Sequence, residues 1–255
     1  TISTKKTAMN DYENLRDYLQ KTRRTLHQYP ELAFEEEHTA SLLIDELKGM
    51  DISYEYSGVG GGIVAHIPCR QASRPSIALR AEMDARPGQE STGVEFASKN
   101  EGRVHSCGHD AHMAILLGAA KLLRKDPAAI NVLLFFQPAE ENGGGAREII
   151  KTGILEETTA IFAAHVSHHY CVGEIMIGHG TVTAQSDRFE INITGKGGHG
   201  ARPHEATDAV IIASSLINTI QTLVSSEVAP LHPSVVTIGK VSAGTEIGRA
   251  HVLTP

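Results

Sequence analysis

The nine residues Val104–His112, "VHSCGHDAH", carry three histidines, one cysteine and one aspartate. Thiolate and imidazole suit borderline divalent cations such as zinc, cobalt and nickel, and a carboxylate added to them also accepts manganese. Two other stretches supply matching donors: Glu140 and Glu141 follow the apolar run "NVLLFFQP", and His165 sits at the end of "AIFAAHV". Singly, each has a plainer reading. A Cys-x-His pair is more often incidental than a ligand pair, an adjacent Glu-Glu usually opens a solvated helix, and a strand-end histidine is usually a satisfied polar residue. Their joint placement gives them weight. Cys107 and His109 lie between a strand ending near Asp84 and a helix, the glutamates follow a second strand, and His165 follows a third. Open α/β sheets gather their sites at strand ends, so one crevice would receive a thiol, two carboxylates and imidazoles.

The elements that must position these groups are legible as alternating patterns. Tyr12, Leu15, Leu19 and Leu26 recur at helical spacing until Pro30, and a second amphipathic run spans Glu35 to Leu47. "GGIVAHI" and "SIALRAEMD" then read as strands, "DAHMAILLGAAKLLRK" as a helix, "NVLLFF" as a strand, "GGAREIIKTG" as a helix and "AIFAAHV" as a strand. Apolar strands alternating with helices predict an α/β fold whose sheet is covered by helices. After about Gly180 the texture changes. "RFEINITG" alternates like a half-exposed strand, a long helix follows from about Asp208, and "SVVTIGKV" reads as a further strand. The expected organisation is a catalytic, metal-binding domain over 1–180 and a smaller α+β domain over 181–245.

With 255 residues, 41% hydrophobic and 21% charged, the composition is that of a globular chain rather than a disordered or fibrous one. The formal net charge of -7 offers no broad basic field for nucleic acid or anionic lipid. The longest apolar run, "AVIIASSLINTIQTLV" from Ala209, is broken by Ser214, Ser215, Asn218 and Gln221 and is short for a membrane span. No membrane partner is expected. Cys69, Cys107 and Cys171 are too scattered for a disulfide framework, which points to a reducing, cytoplasmic address. No secretory signal opens the chain, although its first residue is Thr1, which leaves room for a removed leader.

At a larger scale the motifs "LHQYPELAFEE", "LRAEMDARP", "VHSCGHDAHMAILLGAA", "LLFFQPAEENGGGA", "AAHV" and "GKGGHGARPHEATDAV" occur in order. In this the chain, from about Leu26 to Gly244, resembles the amidohydrolases that include hippurate hydrolase and the indole-acetyl-amino-acid hydrolases. These are dinuclear metallopeptidases related to aminoacylase and glutamate carboxypeptidase. The resemblance implies two divalent metal ions, of manganese, zinc, cobalt or nickel, with ligands at Cys107, His109, Glu141 and His165. It makes Glu140 the general base, places Asp84 beside the metals as an orienting carboxylate, and makes His199 on a lid domain a substrate or oxyanion contact. It implies a small N-acyl amino acid as substrate and the lid as a surface for a homodimer. Family members carry one more histidine, far downstream, which this chain does not reach.

The remaining members of the opening cluster have lesser expected roles. Asp110 is placed to cap or orient the helix that starts there. His105 and His112 could support ligands or simply pack. Glu82 stands where the family commonly has aspartate, and Arg86 where it commonly has leucine, so Arg86 either alters the charge of the pocket or faces water. His168 and His169 follow His165 closely, and the choice of His165 rests on the resemblance. Residues 246–255 read as a non-native tail, since "EIGRAHV" matches a translated sequencing adapter. On that reading the chain is truncated and a poor catalyst, because one ion would lack its last ligand.

Three functions compete. The leading one is metal-dependent hydrolysis of the amide bond of N-acyl amino acids or related small amides, with Glu140 as general base. The second is a thiol hydrolase built on Cys107 and a nearby histidine, which would survive chelation and succumb to alkylation. The third is a non-catalytic metal-binding fragment.

Overall fold

The computed structural model describes residues 2–70, 75–183 and 185–244, with side chains from Asp11 onward. The chain divides into two compact units, Thr1–Ile175 and Met176–Pro255.

The first unit opens with two helices, α1 (Ile2–Gln28) and α2 (Glu37–Gly49). Helix α1 starts ten residues before Tyr12, and Pro30, which lacks an N–H to continue the ladder, follows its end. Next come β1 (Ser53–Tyr56), β2 (Ile63–Ile67), β3 (Ser76–Glu82), the short β4 (Arg86–Pro87) and β5 (Arg103–Val104), and helix α3 (His109–Lys125). Strand β6 (Asn131–Gln137), helix α4 (Gly145–Lys151) and strand β7 (Thr158–Ala163) complete it. Five strands form one mixed sheet in the order β1-β2-β6-β3-β7, while β4 and β5 make a separate two-residue ladder. β1, β2 and β6 pair antiparallel; β6, β3 and β7 pair parallel, so these last three end on the same side.

Strand β6 shows why the sheet sits where it does. Its residues are apolar in succession because both faces are covered. Val132, Leu134 and Phe136 join the cluster made with Leu43 and Leu47 of α2 and Met113 and Leu117 of α3. Leu133 and Phe135 point the other way and pack with Val64, Ala78 and Ile149 of α4. Phe136 is fully buried, and cutting it back to alanine would destabilise the unit by about 3–5 kcal/mol. Strand β7 is mostly exposed, and among the described residues its outer edge has no ladder partner.

Asp110 does not cap α3. The N-cap is Gly108, left-handed at φ 89°, and no side chain bonds the free amides there. Asp110 is completely buried, and its Oδ2 accepts from Nδ1 of His27 and from Nε of Arg23, each at 2.8 Å. The aspartate therefore ties α1 to α3, because a buried carboxylate is stabilised by charge-assisted bonds from a guanidinium and an imidazole N–H.

In the second unit the expected helix is present as α5 (Ala209–Thr222), and Asp208 caps it by accepting from the amides of Val210 and Ile211. The strands expected over "RFEINITG" and "SVVTIGKV" are not formed: among the described residues of this unit, the sole pairing is a bridge between Lys196 and Thr207. Residues of both segments line a cavity beside α5, where Ile193 packs on Ala209 and Ala213. A period of two records which side of a segment is apolar and cannot supply a neighbouring strand. With the wide turn Leu223–Glu227 appended, the helical stretch Ala209–Glu227 reaches 19 residues at mean hydropathy 1.4, long and apolar enough by length and composition to cross a membrane. The expectation of no membrane partner therefore rests on the polar residues within it and not on its length. Residues 246–255, expected to be a non-native tail, lie outside the described residues.

Candidate metal centre

The site is built where β3, β6 and β7 end. Strand β3 runs out into Asp84, β6 into the Glu140–Glu141 turn and β7 into His165, while the N-terminus of α3 presents Cys107 and His109. One donor atom each from Cys107, His109 and Glu141 lies within 4.8 Å of the others. His165 joins them through Nε2, 3.4 Å from Cys107 Sγ. Gly108 makes this approach possible: its backbone is left-handed, and a Cβ there would collide with the side chain of Val166.

Hydrogen bonds fix which ring nitrogens face the cluster. His109 Nδ1–H donates to the Asp84 carbonyl at 2.8 Å, leaving Nε2 with its lone pair, 3.9 Å from Glu140 Oε2. His165 Nδ1–H donates to the Val166 carbonyl at 2.6 Å, which again leaves Nε2 as the acceptor nitrogen, the one facing Cys107. Asp84, fully buried, works on both sides: besides holding His109 it accepts the Glu141 N–H through Oδ2 at 2.9 Å. Glu141 Oε1 is buried and has no hydrogen-bond partner among the described residues. A buried carboxylate oxygen without a donor is costly unless a cation meets it, so the donor set fits a divalent metal ion.

The protonation chemistry of the cluster agrees with that fit. Burial pushes the Cys107 thiol up to about 11, and the carboxylates of Glu141 and Glu140 push the same way against Arg86. A metal-free thiol here is protonated, and a divalent cation would reverse the balance. Burial alone would disfavour a charged His109, but the carboxylate and carbonyl of Asp84 outweigh it and raise its pKa. Burial likewise works against a charged Asp84, yet the bonds from His109 and from the amides of Glu141 and Glu140 win and hold its pKa below the usual value.

The other histidines sort clearly. His112 Nδ1–H donates to Glu82 Oε2 at 2.7 Å, and its Nε2 accepts the Val166 N–H at 3.0 Å, so both nitrogens are committed. It is support for His165, whose ring it meets edge-on at 4.7 Å. Arg80 completes this network by donating to Glu82 and to Gln137, each at 2.6 Å. His105 is buried with neither nitrogen partnered among the described residues, and burial pulls its pKa down to about 4, the behaviour of a neutral packed ring. His168 and His169 are exposed and stack on each other at 4.0 Å. Arg86 does not simply face water, since its Nε lies 3.5 Å from Glu141 Oε2. His199 belongs to the second unit, where its Nδ1 accepts the Ala201 N–H at 3.1 Å and the proton of the neutral ring is left on Nε2.

Sequence reasoning missed His27, which bridges Asp110 and Glu90. It also missed the part played by Glu36 behind the Glu140–Glu141 turn. For Glu36 the available signal was a titratable residue at a helix start; for His27, among Arg23, Arg24 and Gln20 on its helix face, no local signal was available.

Residues 78–252 match the profile of peptidase family M20/M25/M40, a match that runs into the last ten residues. Among curated relatives, IAA-amino acid hydrolase ILR1-like 4 of Arabidopsis thaliana is 43% identical over 230 residues, covering 89% of this chain and 52% of the relative. N-acetyl-L-cysteine deacetylase of Bacillus subtilis is 42% identical over 225 residues, covering 88% and 54%. The chain thus spans about half the length of these relatives. Among solved structures, a putative aminohydrolase from methicillin-resistant Staphylococcus aureus superposes with a TM-score of 0.72 at 31% identity, over 94% of this chain and 66% of that one. The Bacillus subtilis YXEP protein, described as a dinuclear metal binding peptidase from the M20 family, gives 0.69 at 31% identity, over 94% and 63%. With a helix-flanked mixed sheet, donors gathered at its strand ends and a profile match over most of its length, the chain belongs to peptidase family M20/M25/M40.

Proposed function

We propose that this chain carries the metal-binding and proton-transferring part of a hydrolase that cleaves the amide bond of N-acyl amino acids or related small amides. The observation that carries the reading is the convergence of Cys107, His109 and Glu141, with His165 against Cys107, in a chain of this family. The names of two relatives, an amino acid hydrolase and an N-acetyl-L-cysteine deacetylase, support the substrate class. Cys107, His109, Glu141 and His165 would hold the cations, two of manganese, zinc, cobalt or nickel. Such ions polarise a carbonyl and make water acidic enough to attack near neutral pH.

The chain's own residues do the rest. Glu140 keeps a 41% exposed side chain beside His109, free to take the proton of the attacking water and return it to the leaving nitrogen. Asp84 keeps His109 in its ligating tautomer and holds the Glu141 backbone. His199, with its proton on Nε2, is the proposed donor to the developing oxyanion. Four donors suffice for one tetrahedral ion, so the first ion should bind more tightly than the second. A homodimer through the second unit and a cytoplasmic address belong to the same proposal.

The thiol alternative has one observation in its favour, the 3.4 Å approach of His165 to Cys107. Against it stands a thiol pKa pushed up to about 11, far from a ready nucleophile. The test is release of free amino acid from a panel of N-acetyl, N-benzoyl and indole-acetyl amino acids by the cobalt- or manganese-loaded chain. Activity that disappears on exhaustive chelation and returns with metal is expected. Activity that survives chelation and stops on alkylation of Cys107 would hand the reaction to the thiol.

A further inference from the structure

Glu36 occupies the N-cap position of α2, yet its carboxylate makes no cap bond there. Glu31 performs that task from outside the helix, accepting the amides of His38 at 3.0 Å and Thr39 at 2.7 Å. Glu36 is thereby released, and although only 1% exposed it reaches across to accept the Ala139 N–H at 2.8 Å. Ala139 is the residue that needs such help. It is a non-glycine residue in the left-handed region, φ 49°, directly before Glu140 and Glu141. That conformation brings Cβ close to the following carbonyl and persists where the surroundings over-determine it.

The surroundings do so from both ends. The Ala139 carbonyl accepts from the amides of Gly144 at 3.3 Å and Gly145 at 3.5 Å, and a Cβ on Gly145 would collide with the Pro138 carbonyl. Two residues on, the Glu141 N–H is held by Asp84 at 2.9 Å. The turn leaving β6 is thus hung from two buried carboxylates, Glu36 at residue 139 and Asp84 at residue 141, with Glu140 directed outward between them.

We propose that Glu36 is a positioning residue for this turn: its bond to the Ala139 N–H holds the left-handed backbone that sets where Glu140 and Glu141 leave the sheet. The inference rests on the reading of Glu141 as a metal donor and Glu140 as the general base. It predicts a particular pattern of rescue. Glu36→Met fills a similar volume without an acceptor, Glu36→Gln keeps an acceptor oxygen, and Ala139→Gly makes positive φ cheap whatever holds it. Burial already raises the Glu36 carboxyl pKa, so the neutral amide is a mild change.

The experiment combines Co²⁺ titration of the full chain with hydrogen exchange of segment 138–145. Loss of a partner that orients a ligand typically weakens metal affinity by about 10–100-fold, and Glu36→Met should fall in that range and exchange faster. Glu36→Gln should stay near the parent in both measurements, and adding Ala139→Gly to Glu36→Met should recover part of the affinity. Unchanged affinity in Glu36→Met would overturn the proposal, and so would a Glu36→Gln as damaged as Glu36→Met with no recovery from Ala139→Gly. If Glu36→Met does not fold, folding restored by Ala139→Gly supports the proposal, and failure in both backgrounds overturns it. Glu141→Ala separates the two readings. Should it leave Co²⁺ binding intact, the metal reading fails, and the exchange rates alone decide whether Glu36 holds the turn.

Discussion

Glu82, His109 and His112 lie as close together as Cys107, His109 and Glu141, each set presenting one donor atom apiece within 4.8 Å. Yet the two groups differ in what their lone pairs are doing. In the first, His112 spends one nitrogen on Glu82 and the other on the Val166 amide, while Glu82 also takes Arg80. In the second, the proton of His109 is drawn off to a backbone carbonyl, as is that of the adjoining His165, and Glu141 Oε1 is buried without a hydrogen-bond partner among the described residues. Proximity of histidine and carboxylate therefore does not define a metal site. What separates the two sets, which share His109, is whether the clustered donors are already engaged: His112 and Glu82 are, and they hold the open donors in shape.

The most severe way to break the comparison is to remove donors from the open group. Cys107→Ala combined with His109→Ala should reduce bound metal to background, measured by elemental analysis of the dialysed chain. Retained metal would move the site elsewhere. Next in size is Glu140→Gln, which should keep the metal and lower turnover by about 10²–10⁴-fold, since the amide cannot accept a proton. Hydrolysis of an N-acyl amino acid near the parent rate would show that another group is the base.

The saturated group should respond to acid and not to chelators. Burial works against the Glu82 carboxylate, but the bond from His112 and the charge of Arg80 overcome it and hold its pKa down at about 2. A depressed carboxyl pKa stabilises the fold fully above its ordinary value of 4.5 and loses that contribution as pH falls through 4.5 toward about 2. The loss should amount to roughly 3 kcal/mol, read as the fall in unfolding free energy between pH 6 and pH 2. In Glu82→Gln that part of the acid sensitivity should vanish.

Two smaller effects sharpen the contrast. His112→Phe keeps a ring but removes both bonds, and it should weaken metal affinity by about 10–100-fold although no ligand is touched. An affinity equal to the parent would detach His112 from the site. Arg86 is 54% exposed and its pairing with Glu141 is loose, so Arg86→Leu should tighten metal binding by no more than about fivefold, the effect of a surface ion pair. A larger gain in Co²⁺ titration would mean that the guanidinium competes with the cation in earnest.

Much of this was legible beforehand where side chains repeat with a period. The apolar succession of β6 and the helical spacing of α3 announced a covered sheet, because each pattern reports the burial of a face. The alternating segments of the second unit read as strands, and among the described residues they form none, since pairing depends on a neighbour that no local pattern encodes. Asp110 illustrates the same limit within a motif: its position at a helix start pointed to a capping or an orienting role, and the partners that decide between them, His27 and Arg23, come from more than eighty residues away.

By itself, then, the sequence determined the donor types, their order along the chain and the strand ends that carry them, because periodicity and residue chemistry are local properties. The tertiary structure alone decided which nitrogen of each histidine faces the cluster, which carboxylate oxygen is left without a partner, and that Glu36 rather than Glu31 reaches the turn before Glu140. The physical reason is that a side chain's chemistry depends on which of its lone pairs and protons are already engaged. Those engagements are made across the core, between residues whose separation along the chain leaves no periodic trace.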